Sequence, residues 1–90
     1  MKISAKKNIE KYREREYNEI NDIHDYIEKN DNYEMYLVDK QGIEQHFNDG
    51  LFGLLGILGA DSLDDVTNIK YIKNEFNFIF NGNEYILGSL

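Results

Sequence analysis

Cysteine, proline and tryptophan are all missing from this 90-residue chain. Without cysteine there is no disulfide, no thiolate nucleophile and no cysteine-held metal, a usage that fits a reducing cytosolic setting. Long apolar runs are missing too. No stretch approaches the roughly 20 residues that a spanning helix needs, and Met1-Lys2-Ile3-Ser4-Ala5-Lys6-Lys7 does not lead into the apolar core of a signal peptide. A cytoplasmic protein with no membrane partner is the expectation. The phosphate loop of nucleotide-binding enzymes, the Gly-x-Gly-x-x-Gly fingerprint, the Gly-x-Ser-x-Gly elbow and a strand-borne Glu-x-Lys are likewise missing. No cofactor is expected, and no catalytic residue stands out.

Basic residues are scarce and unevenly placed. Ten Lys and Arg face seventeen Asp and Glu, for a net charge of −7. Residues 1–15 hold six of those ten (Lys2, Lys6, Lys7, Lys11, Arg13, Arg15) against Glu10 and Glu14, a local +4 that leaves −11 on the remaining 75 residues. A chain this acidic repels nucleic acid and anionic lipid and is attracted to a basic protein surface. The Lys6–Arg15 cluster could be a nucleic-acid arm with Tyr12 and Tyr17 as stacking platforms. Set against −11 it reads more simply as a solvated helix end, and direct nucleic-acid binding is not expected.

What the chain does contain is enough apolar material for one domain over 1–90: 41% of residues are hydrophobic, among them five Phe and seven Tyr. Its clearest local statement is Asn81-Gly82, between two alternating runs, because both central residues of a type I′ hairpin turn need positive φ. That turn sets Phe78 opposite Tyr85 and Phe76 opposite Leu87, with Phe80 on the same aromatic surface. Tyr33–Val38 and Ile43–Phe47 form a second hairpin about Asp39-Lys40-Gln41-Gly42, a type I turn closed by a left-handed glycine. Strands are expected at Ile69–Lys73, Phe76–Phe80 and Glu84–Gly88.

Two helices complete the pattern. Ile9, Ile20, Ile23 and Ile27 form one stripe, predicting a long helix from about Asn8, its N-cap, to Lys29, with Arg15–Glu19 and Asp25–Lys29 as i,i+4 pairs. Leu51, Leu54, Leu55 and Leu58 follow helical spacing in a short segment ended by Gly59, and Gly53 and Gly56 inside it imply close packing or a helix that moves. Ser62-Leu63-Asp64-Asp65 has capping-box form and predicts a further helical turn. The expected class is α+β: a long N-terminal helix plus a short one, packed on an antiparallel sheet of about five strands, in the order α-β-β-α-β-β-β.

Three constellations bear on function. His24-Asp25 is a dipeptide seen in metal-dependent phosphohydrolases, and His24 with Glu28 has ligand spacing on a helix. A working site needs three or more convergent ligands, and only His46 remains to join them. A small metal-dependent hydrolase is therefore the weakest reading, and no metal site is expected. Gly50–Gly59 superficially resembles viral fusion peptides, but it is internal and followed by Asp61, Asp64 and Asp65, which oppose anionic lipid. A core helix or an oligomer contact through Leu51, Leu54, Leu55 and Leu58 is the better account.

The third is the acidic surface. Asp22, Asp25, Glu28 and Asp31 are expected to face outward on the long helix, with Glu34, Asp39, Asp61, Asp64 and Asp65 in or near loops. Carboxylates arrayed on a compact face can stand in for backbone phosphates before a basic nucleic-acid channel. In size, acidity and its heavy use of Asn, Ile, Lys, Glu and Tyr, a usage associated with AT-rich coding, the chain resembles phage-encoded inhibitors of host defence, including anti-CRISPR proteins and uracil-glycosylase inhibitors. The resemblance is one of general character and rests on no shared motif. It implies a non-enzymatic DNA mimic docking on a basic groove, acting in the host cytosol. The alternative is a homodimer or complex-forming module of the immunity-protein or antitoxin kind.

Overall fold

A computed structural model describes residues 17–90. In chain order the elements are α1 (Ile20–Lys29), β1 (Met35–Asp39), β2 (Glu44–Phe47), α2 (Leu51–Leu58), β3 (Val66–Ile72), β4 (Glu75–Phe80) and β5 (Asn83–Ser89). The class is α+β, with five antiparallel strands in one sheet of order β2-β1-β5-β4-β3. The last strand thus inserts between the two hairpins and joins them: β1 pairs with β5 on one side and β2 on the other.

Three turns set the registers. Asn81 (φ 52°) and Gly82 (φ 78°) are both left-handed, as a type I′ turn requires, and they place Phe76 opposite Leu87 and Phe78 opposite Tyr85. Lys73 (φ 51°) and Asn74 (φ 69°) make a second turn of the same kind between β3 and β4. In the β1–β2 loop Gly42 is left-handed (φ 82°), and its N–H donates to Asp39 O at 2.9 Å. Asp39 Oδ1 accepts from the N–H groups of Gln41 (2.9 Å) and Ile43 (3.0 Å), an Asx turn that holds the hairpin.

The helix at the N-terminal side is short. Tyr17 and Asn18 are not helical, Glu19 is extended (φ −113°, ψ 156°), and α1 begins only at Ile20. Asp22 reaches back to accept the Glu19 N–H at 3.1 Å, capping the helix with an anion in its first turn. The expected run from Asn8 through to Lys29 is therefore broken at 17–19. The Asn8 cap, Ile9 and the Lys6–Arg15 cluster lie outside the described residues. Ile20, Ile23 and Ile27 do form the expected stripe, with Ile23 and Ile27 fully buried.

Both helices lie on the same side of the sheet, over Met35, Leu37, Phe47, Phe76, Phe78 and Leu87. Each such buried side chain contributes roughly 1.5–3 kcal/mol. β3 starts three residues earlier than its pattern suggests. Asn68 sits at φ 54° and the β3–β4 register shifts between Thr67 and Lys70, so Val66 and Ile69, three apart, both enter the core. The expected helical turn at Ser62–Asp65 is a plain turn, in which Asp64 N–H donates to Ser62 Oγ at 3.3 Å and buried Leu63 anchors the approach to β3.

Candidate functional site

The carboxylates expected on the docking face lie on α1, on and beside β1, and in the α2–β3 connection. Asp25 and Glu28 are exposed on α1, and Asp31 is exposed beyond its C-terminus, with Oδ1 beside Gly50 at the start of α2. Asp61, Asp64 and Asp65 are exposed in the α2–β3 connection. Glu34 precedes β1 and Asp39 ends it, and Asp39 is engaged in its turn. Asp22 does not face outward: it is 5% exposed and serves the helix cap, because the cap needs an acceptor at that position. The expected Asp25–Lys29 pair does not close to within 4.0 Å, and the ion pairs between described residues are both made by His46.

Of the four leucines on α2, Leu54 is fully buried, while Leu51, Leu55 and Leu58 are half-buried. Gly53 explains the close fit, since a Cβ there would lie 2.7 Å from Phe47 Cδ2. At Gly56 a Cβ would meet nothing within 4 Å. Phe52 is 85% exposed, an apolar ring that the helical spacing of the leucines did not single out.

The opposite face of the sheet carries a second set of polar groups that sequence reasoning missed. The registers line up His46, Tyr36, Gly88, Glu75 and Ile72 in one row across β2, β1, β5, β4 and β3. The next row is Glu44, Val38, Ile86, Asn77 and Lys70. Tyr36 lies flat over Gly88, where a Cβ would stand 2.2 Å from its ring, and its hydroxyl donates to Glu75 Oε2 at 2.6 Å. That hydrogen bond, helped by burial, pushes the Tyr36 phenol up to about 12. His46 stands between two carboxylates, Nε2 at 2.5 Å from Glu44 and Nδ1 at 3.2 Å from Glu34, which hold its pKa above the usual imidazole value. Strand alternation was the available signal, because Tyr36, Glu44 and His46 all fall on the face opposite Leu37 and Phe47.

No protein-family model, curated protein or solved structure matches this chain.

A cleft of about 770 Å³ lies beside α1, between Tyr17, Asp25, Tyr26, Lys29, Tyr71 and Asn74. Tyr71 meets both Tyr17 and Tyr26 edge-on, at 5.4 and 5.9 Å between centroids. Tyr26 O–H donates to Asn74 O at 2.9 Å, and burial pushes its phenol up to about 12. His24 is half-buried on α1, and among the described residues no three His, Asp or Glu side chains converge as metal ligands do. Among those residues no helix is long and apolar enough to cross a membrane.

Proposed function

We propose that this chain is a non-enzymatic acidic binding protein of the cytosol, a small inhibitor or adaptor that docks on a basic protein surface such as a nucleic-acid-binding groove. One observation carries the reading. Asp25, Glu28, Asp31, Asp61, Asp64 and Asp65 are exposed, and among the described residues no lysine lies within 4.0 Å of any of them. Fourteen carboxylates and four lysines fall in residues 17–90, a net charge of −10. Carboxylates left without internal partners keep their field available to steer and hold a cationic surface.

The test takes the protein recovered on the immobilised chain from its native host and titrates the complex with salt. Affinity should fall steeply as salt rises, and duplex DNA should displace the chain. Binding that ignores salt would remove the proposal. A second reading, a complex-forming module of the immunity-protein or antitoxin kind, is supported by exposed Phe52 on α2. It expects Phe52→Ser to abolish partner capture, with little effect from salt.

A further inference from the structure

The face of the sheet opposite the helices has no second layer among the described residues, yet it is not built for water. Val38, Ile79 and Ile86 are half-buried on it, and Ile72 at its corner is 50% exposed. A solvated face of an antiparallel sheet normally alternates to polar side chains. Here three branched aliphatics occupy the central strands β1, β4 and β5, around a groove of about 580 Å³. Along one register row of this face, charge is separated sideways. The β2 edge presents Glu44, one carboxylate oxygen of which is held by His46, and the β3 edge presents Lys70 at the other end of that row.

We propose that two copies of this chain pack through this face, sheet on sheet, about a two-fold axis running along the strands over β5. Such an axis reverses each row. Glu44 of one copy then meets Lys70 of the other, Val38 meets Asn77, and Ile86 meets itself at the centre. Every contact off the axis occurs twice, as in an isologous interface. An axis across the strands would instead set Glu44 on Glu44 and Lys70 on Lys70, and like charges facing one another oppose association. Glu84 also lies on β5, so the axis brings the two Glu84 carboxylates together. Lys40 lines the same groove and offsets part of that repulsion. This assembly is independent of the acidic docking proposed above, because Asp25 and Glu28 sit on α1, on the covered side.

Sedimentation equilibrium on the full chain, from micromolar to millimolar concentration at moderate salt, tests the assembly. The chain should dimerise. Glu44→Lys or Lys70→Glu alone should weaken the dimer by about tenfold or more, since two pairs become repulsive in each case. The double variant Glu44→Lys/Lys70→Glu should restore it, and Glu84→Gln should tighten it. Ile86→Glu should leave a monomer with an unchanged circular-dichroism spectrum. A wild-type monomer throughout, a double variant no better than the singles, or a dimer lost to Phe52→Ser but kept in Ile86→Glu would each overturn the assignment. The charge swap keeps the test sound should Ile86→Glu fail to fold.

Discussion

Two side chains on the sheet face opposite the helices respond to pH in ways that follow from their neighbours. The Tyr36 phenol is held at about 12, against 10 for the free group, so the folded state prefers it neutral. Its contribution is complete below pH 10 and is lost as pH rises through 12. Tyr36→Phe should cost about 1 kcal/mol in urea unfolding at neutral pH, with the gap to wild type closing between those values. His46 is raised above 6.5 by Glu44 and Glu34, which favours its charged form in the native state. Its stabilisation is complete below that value and is lost as pH rises through the folded pKa. His46→Gln should therefore lower the melting temperature most near pH 5.5 and little near pH 9. A melting-temperature difference that widened with pH would refute the pairing. Gly88→Ala belongs to the same cluster: a Cβ 2.2 Å from the Tyr36 ring must displace it, at a cost of about 1–3 kcal/mol. Much of that loss should vanish in a Tyr36→Ala background, as a double-mutant cycle will show.

At the scale of elements, α2 makes the sharpest comparison. Its two interior glycines share a helical backbone and differ only in what faces them. Gly56→Ala adds a methyl to open space and should stabilise by about 0.5–1 kcal/mol, the intrinsic difference in helix propensity. Gly53→Ala gains the same propensity but drives a Cβ to 2.7 Å from Phe47. Overpacking of about 1–3 kcal/mol then prevails and the variant should unfold at lower urea. Equal effects at the two positions would mean that α2 does not seat on Phe47. The helix ends in a Schellman motif, in which left-handed Gly59 (φ 68°) lets Ala60 N–H donate to Leu55 O at 3.0 Å. β3 depends on Asn68 in the same positional way. Asn68→Gly should be neutral or mildly stabilising, whereas Asn68→Val places a branched residue at positive φ and should destabilise by 1 kcal/mol or more, about the strain of that region.

The whole molecule carries more negative charge than its fold uses. The full chain holds a net −7 and residues 17–90 a net −10, and self-repulsion among these charges works against the compact state. Raising salt from about 10 to 200 mM should raise the melting temperature, because the Debye length falls from about 30 Å to under 10 Å. Replacing Asp25, Glu28 and Asp61 together by their amides should leave stability unchanged or improved while weakening capture of a basic partner. A variant that lost stability instead would show that those carboxylates serve the fold.

Local chemistry was legible in the chain itself. Asn81-Gly82 and Asp39–Gly42 specified two hairpins and their registers, since positive φ and a side-chain-closed turn are steric demands met within a few residues. Gly59 marked a helix end for the same reason, and the α-β-β-α-β-β-β order followed from spacing. Tertiary structure alone decided that β5 lies between β1 and β4, for that pairing joins residues some fifty positions apart and has no local signature. Only there does it emerge that Asp22 turns inward to cap a short helix, that a bulge at Asn68 brings Val66 and Ile69 to one side, and that Tyr36, Glu75 and His46 share a face that no second layer covers among the described residues. A side chain's partners across a sheet depend on which strands meet, and that is settled by burial of the whole core, beyond the reach of any one segment's pattern.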